Sequence, residues 1–168
     1  MNFKSIEKLS ARLFDDLDTQ AAFVQEFKNP RPQPALLWTG PRPAEQIFEI
    51  QTPQIWQPYF ADRLIPESKP GRHTLHDSGG YYALEFSSVF EAAVTLALPE
   101  LSGPMLDLCA APGGKSVFLS LAHSPTLLLA NEAIGSRRAP LVSNLKRCKI
   151  PNAHVSSLEP EFLAEALT

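Results

Sequence analysis

Apolar positions recur along this chain with two different periods. From Phe3 to Phe27, Ile6, Leu9, Leu13, Leu17, Phe23 and Phe27 fall at spacings of three, four and six, a helical pattern that predicts one helix over this stretch. The pattern breaks between Pro30 and Pro70, which holds nine of the 16 prolines. Proline has no amide donor and a fixed φ, so long regular elements are not expected there. Short strands fit at Ala35–Trp38 and Gln46–Ile50, and a short helix at Ile55–Leu64. Beyond Pro70 a glycine-punctuated segment, KPGRHTLHDSGGYYALEFSS, leads into SSVFEAAVTLAL. This last stretch predicts a helix over Ser87–Leu98, with Ser87 or Ser88 as cap and Glu91 at capping-box spacing from Ser88. From Met105 onward, short apolar runs alternate with helical ones. A buried strand is expected at Met105–Cys109, a helix at Lys115–His123, a strand at Leu127–Asn131, a helix at about Ser136–Cys148 and a strand at Ala153–Ser156. That alternation argues for βαβ units on a parallel sheet. Pro140 fits its helix only if the helix starts late or bends.

The 168 residues carry a formal net charge of -3 and two cysteines, Cys109 and Cys148. A disulfide framework is excluded, and a reducing compartment, the cytoplasm, is expected. No apolar run spans a membrane, and the first residues lack the apolar core of a signal peptide. With a negative overall charge, nucleic acid would have to be held by a local basic patch. Arg137, Arg138, Lys146, Arg147 and Lys149 form such a cluster. They read equally well as a solvated helix face. His73, His76 and Asp77 read as polar loop residues, because no further histidine or cysteine lies near enough in sequence to complete a metal site. Trp38 and Trp56 are expected in the core, although Trp38, Trp56, Tyr59 and Phe60 have the chemistry to stack on bases.

The stretch DLCAAPGGKSVFLSLA, Asp107–Ala122, carries the most chemistry. Gly114-Lys115-Ser116 ends like a phosphate-binding P-loop. The first glycine of that motif would stand at position 109, which is Cys109, and Pro112 removes one of the amides that would cradle phosphate. The alternative is a strand, a tight glycine turn and a helix, with an acid at the end of the following strand. Glu132 stands about 20 residues past the turn, where such folds place a carboxylate for ribose hydroxyls. A nucleoside ligand without phosphates fits this arrangement, S-adenosylmethionine being the common one. A turn that only joins a strand to a helix fits it as well.

Asp107-Leu108-Cys109-Ala110-Ala111-Pro112-Gly113-Gly114-Lys115 resembles the first motif of the Nop/Sun (RsmB/RsmF-like) group of RNA cytosine-C5 methyltransferases. Tyr81–Ser88 is similar to the stretch that precedes that motif. Asn131-Glu132, Arg137 or Arg138, and Ser143–Cys148 resemble the segment after strand two. The resemblance runs from about Lys69 to Leu163. It implies an α/β fold: the first half of a class I, Rossmann-like methyltransferase sheet, preceded by a small proline-rich α/β or α+β region. It implies a boundary that leaves an N-terminal region of residues 1–68, with an RNA-binding role, and a cofactor-binding domain of residues 69–168.

The same resemblance implies S-adenosylmethionine held by Cys109, Ala110, Ala111, Pro112, Gly113, Gly114, Lys115, Glu132 and Arg137. Cys109 would be packed beneath it. Glu159 takes the place of the family's aspartate near the adenine, which is a departure. RNA, ribosomal by analogy, would meet Arg137, Arg138, Lys146 and Arg147. Cytosine C5 becomes nucleophilic only after a thiolate adds at C6. The family's two cysteines for this step follow an Asp-Ala-Pro and a threonine beyond strand three, and neither sequence occurs in these residues. No catalytic residue is therefore assigned within the chain: the nucleophile and the second cysteine are expected beyond Thr168. Cys148, beside Lys146, Arg147 and Lys149, has neighbours that would lower its pKa, but it reads best as a buried helix-end residue. The expectation is a front half that is inactive alone, with Met105–Cys109 as an exposed edge. A complementing C-terminal half or self-association would cover that edge. The alternative is a non-catalytic module that binds RNA or protein.

Overall fold

The computed structural model describes residues 3–98 and 103–166. Thr168, the position beyond which the two catalytic cysteines are expected, lies outside the described residues. The chain forms two compact units, residues 1–32 and 33–168. In the first, the expected single helix is two: α1 (Phe3–Leu13) and α2 (Leu17–Lys28). The apolar period runs through the break, but Asp16 interrupts it. Its backbone is extended, and its carboxylate accepts the amides of Asp18 at 3.2 Å and Thr19 at 2.7 Å, capping α2. The Thr19 side chain, together with these two amides, lowers the pKa of the Asp16 carboxyl from its ordinary value. The hairpin closes through buried Ser10, whose hydroxyl donates to the Gln20 carbonyl, and through the ring contact of Phe14, between the helices, with Phe23 of α2.

The second unit contains two three-stranded sheets. The first is antiparallel, in the order β2-β1-β3, from β1 (Pro34–Trp38), β2 (Ala61–Arg63) and β3 (Tyr81–Glu85). Leu36 pairs with Asp62 on one side and Ala83 on the other. Strand β1 is buried throughout because both its faces are covered. Ala35 and Leu37 belong to the main core, while Leu36 and Trp38 join Leu64 and Tyr81 in a second cluster. The sheet draws together strands from both sides of residue 68. The helix expected at Ile55–Leu64 is absent: Pro58 interrupts it, Ile55 is fully exposed, and Ala61–Arg63 gain more by pairing with β1. No strand forms at Gln46–Ile50, where Ile50 alone bridges to Leu64.

The helix α3 (Thr74–Asp77) leads into β3, which runs directly into α4 (Phe86–Ala93), and a 3-10 turn follows at Val94–Ala97. The serine cap and capping box do not form. Glu85 occupies the cap position, and its carboxylate accepts the Gln33 amide instead. Glu91 turns outward to Lys115.

The second sheet is parallel, β4-β5-β6, from β4 (Met105–Asp107), β5 (Leu128–Asn131) and β6 (Ala153–Ser156). Helices α5 (Gly114–His123) and α6 (Gly135–Arg147) make the crossovers, and α7 (Pro160–Ala166) follows β6. One expectation needs correction. Strand β4 is not buried: Leu106 within it and Leu108 just after it are 43% and 41% exposed, because β4 pairs with β5 alone among the described residues. Of the two alternatives for Pro140, the late start is excluded, since α6 begins at Gly135 with Pro140 inside it.

The antiparallel sheet and the parallel layer share one core, in which Phe60, just before β2, and Tyr82 of β3 join Val117 and Phe118 of α5, Leu141 of α6 and Cys148 at its end. They are joined at the end of α6. Arg147 donates from Nη1 to the carbonyls of His76 and Tyr81 and lies over the Tyr82 ring. Tyr81 is fully buried, and its hydroxyl donates to the Pro70 carbonyl at 2.8 Å. Burial pushes its pKa up to about 12. Beside it, Gly79 has a φ of +75°, and a Cβ there would lie 1.7 Å from the Arg147 carbonyl oxygen. Gly79→Ala is expected to cost about 3 kcal/mol, from positive φ plus a backbone clash. Gly71→Ala, which has nothing within 4 Å of the added carbon, should cost little. Denaturant unfolding of the two variants checks this.

Candidate functional site

The glycine turn and its supports gather at the carboxyl ends of β4 and β5. Asp107 ends β4, and its carboxylate accepts the hydroxyl of fully buried Ser116 at 2.7 Å, tying the strand to the first turn of α5. Between them runs Leu108–Gly113. Gly113 has φ +115°, and a Cβ there would press Leu141 at 3.3 Å, so this corner is built for glycine. The amides of the first turn of α5 face the loop with no intrahelical partners, and the helix dipole adds partial positive charge.

Three side chains brace the turn from β5 and α6. Asn144 donates to the Pro112 carbonyl at 2.9 Å. Arg137 donates from Nη2 to the Ala111 carbonyl at 2.8 Å. Glu132, buried at the end of β5, accepts the Ala111 amide on Oε2 at 3.3 Å and the Ile134 amide on Oε1 at 3.0 Å. Arg137 Nη1 stands 3.6 Å from Oε2. Each carboxylate oxygen can accept more than one bond, so Glu132 can hold the turn and still take hydroxyl donors. On its other side the turn borders a cleft of about 100 Å³, walled by Tyr82, Leu84 and Ser88.

The structure therefore brings together Cys109 to Lys115, Glu132 and Arg137. Cys109 is exposed, at the start of the turn. The Lys115 ammonium pairs with Glu91 at 3.0 Å, and Ser116 is taken by Asp107. Both residues that a P-loop would aim at phosphate and magnesium are thus engaged elsewhere, in line with the sequence argument against that motif.

Glu159 is exposed on the segment just after Leu158. That segment is held by Asn131, a residue to which the motif assigns no role. Its Nδ2 donates to the Leu158 and Leu108 carbonyls, and its Oδ1 accepts the Leu158 amide and the Ser156 hydroxyl. A polar residue closing an apolar strand was the available signal. Of the basic residues, Arg138 and Lys146 are exposed, whereas the Arg147 guanidinium is directed at backbone carbonyls within the fold. Cys148 is 3% exposed, and burial raises its pKa despite Arg147 beside it, the reverse of the shift that its cationic neighbours suggest.

No family model matches the chain. The small-subunit ribosomal RNA methyltransferase F of Shewanella amazonensis is 31% identical over 125 residues, 69% of this chain and 27% of that protein. A mouse 28S rRNA (cytosine-C(5))-methyltransferase is 35% identical over 78 residues, 46% of this chain and 10% of that protein. The matches span about a quarter or less of these curated relatives. Among solved structures, a protein designated PH0851 superposes with a TM-score of 0.70 at 18% identity, over 94% of this chain and 37% of that one. A methyltransferase homolog from Pyrococcus horikoshii gives 0.63 at 17% identity, over 86% and 50%. The fold is thus the Rossmann-like α/β fold of methyltransferases. Within that class, the sequence relatives and the motif Asp107–Lys115 establish that this chain belongs to the Nop/Sun family.

Asn131→Ala removes four hydrogen bonds at the strand end. It is expected to cost about 3 kcal/mol in denaturant unfolding. Asn131→Asp keeps the two acceptor bonds but turns a carboxylate oxygen of a buried residue onto the Leu108 and Leu158 carbonyls, and should lose at least as much.

Proposed function

We propose that this chain is the S-adenosylmethionine-binding portion of an RNA cytosine-C5 methyltransferase acting on ribosomal RNA in the cytoplasm. The observation that carries this reading is the Glu132 carboxylate set against the glycine turn, at the ends of adjacent parallel strands. In this reading the turn from Cys109 to Lys115 lies along the cofactor. The free acceptor positions of Glu132 take the two ribose hydroxyls, and Arg137 keeps the carboxylate oriented. Glu159 lies towards the adenine. The bound cofactor would supply an electrophilic methyl group on a sulfonium. Exposed Arg138 and Lys146 are free to meet RNA phosphate, while Arg137 and Arg147 are committed to contacts within the fold.

Neither thiol of these residues suits the addition to cytosine C6. Cys148 is buried and held protonated, and Cys109 belongs to the turn that lines the cofactor. The attacking thiolate would be supplied from outside these 168 residues, beyond Thr168 in the reading proposed. The chain by itself then binds cofactor without transferring the methyl group.

Calorimetric titration with S-adenosylhomocysteine tests the reading. Saturable one-to-one binding is expected, weakened at least about tenfold, or 1.4 kcal/mol, by Glu132→Gln. No binding to a folded sample would overturn it.

A binding-module reading draws on one further observation. Among the described residues β4 pairs with β5 alone, so its other edge is open, and Leu106 in it and Leu108 just after it are partly exposed. Parallel sheets are ordinarily covered on both faces, and an open apolar strand invites pairing. We propose that copies of this chain associate through β4. Light scattering should show a dimer or larger species, shifted to monomer by Leu106→Lys. A monomer at all concentrations would refute the association.

A further inference from the structure

The face of the antiparallel sheet that carries Leu36, Trp38 and Leu64 is roofed by the irregular segment 40–50, and a cavity of about 170 Å³ lies between them. It is separate from the glycine turn. Fully buried Leu36 and Leu64 form its floor, and Ile47 and Phe48 pack onto that cluster from the roof. One wall is polar. Asp62 is only 6% exposed, and its Oδ2 accepts the Trp38 indole Nε1–H at 2.6 Å. Its Oδ1 accepts Arg42 Nη2 at 3.0 Å. Arg42 also donates to the Tyr59 carbonyl, lies 5.9 Å from the centre of the Trp38 ring and remains half exposed.

A neutral carbonyl would satisfy an indole N–H. A buried carboxylate is a costly way to do so, and its single half-exposed cation offsets that cost poorly. Each oxygen of Asp62 retains acceptor capacity beyond its one bond. The roof belongs to the 22 residues between β1 and β2, which form no helix or strand. Connections of that length in compact domains commonly carry function.

The cavity admits one ring system, too small for a whole nucleotide. Its apolar floor favours a flat body. Its carboxylate accepts only, so it favours amine donors on the ring edge, and the adjacent guanidinium suits a ring nitrogen or carbonyl. We propose that this cavity takes an unpaired, amino-bearing nucleobase (cytosine, adenine or guanine) from single-stranded RNA, with ribose and phosphate outside near Arg42. Uracil is disfavoured because its N–H lies between two carbonyls that would face the carboxylate. Proteins read single-stranded RNA in this way, by taking splayed bases into pockets and bonding their edges. The identification of the base as RNA rests on the function proposed above.

The test uses the full chain with Trp56→Phe, so that Trp38 fluorescence alone reports. Cytidine, adenosine, guanosine and uridine 5′-monophosphates are titrated, followed by the corresponding hexaribonucleotides. Saturable quenching is expected with at least one amino-bearing base, about tenfold tighter than uridine, with the oligonucleotide tighter than the mononucleotide. Asp62→Asn should erase the preference over uridine. Ile47→Phe, which crowds the cavity without adding an indole and leaves Asp62 in place, should abolish quenching while the unfolding midpoint stays near that of the parent. Absence of saturation, equal affinity for uridine, quenching unchanged in Asp62→Asn, or mononucleotides binding as tightly as oligonucleotides would each overturn the proposal. S-adenosylhomocysteine binding to the Trp56→Phe parent, read by calorimetry, separates the two ideas. If it is retained while nucleotides fail to quench that same parent, the cavity proposal falls and the cofactor reading stands.

Discussion

The contact between the end of α6 and the segment leading into β3 organises the second unit. Arg147 gives its guanidinium to the carbonyls of His76 and Tyr81, and its own carbonyl lies where any side chain at position 79 would have to go. A charged group bonded to two backbone carbonyls, with a glycine required opposite, permits little adjustment. This contact fixes β3 relative to α6, and α6 in turn carries Arg137, Leu141 and Asn144, which shape the glycine turn. The antiparallel sheet and the cofactor turn are thereby set by one helix.

A similar arrangement governs the turn itself. Glu132 and Asn131 are neighbours at the end of β5 with opposite duties. Glu132 reaches the turn after β4, and Asn131 reaches the segment after β6. Two buried polar side chains at one strand end thus place the loops of the strands on either side. Both are satisfied within the fold, which is the condition for polar groups to be buried without large cost. The result is a site whose backbone is held before any ligand arrives. Preorganisation of this kind spares a ligand the cost of ordering the loop.

The proposed division of labour follows from where the charges are committed. Arg137 and Arg147 hold backbone, so the basic cluster that looks uniform in sequence is not uniform in space. Arg138 and Lys146 remain available to solvent and to phosphate. Asp62 and Arg42 form a second polar pair, on the far face of the antiparallel sheet.

The parallel half of the fold is legible in the residues themselves. Leu128–Asn131 and Ala153–Ser156 are short apolar runs between helical periods, and the Asp107–Lys115 motif stands between a strand and a helix. Local pattern suffices there, because each element is continuous in sequence and its turn residues are diagnostic. The antiparallel sheet is legible only at its central strand, where the expected Ala35–Trp38 becomes β1. Ala61–Arg63 has no strand period, and it becomes a strand only because Leu36 and Leu37 offer it a ladder from 24 or more residues away. Asp16, the break between α1 and α2, is hidden because an apolar period can continue across a cap. Cys148 is the buried helix-end residue that its position suggests. The cation cluster and the cap at Glu85 escape a local reading for one reason. Whether an arginine or a carboxylate meets water or backbone depends on what packs against it from distant sequence. The sequence determined which residues line the turn. Only the tertiary structure decided which side chains hold it and which are left free to bind.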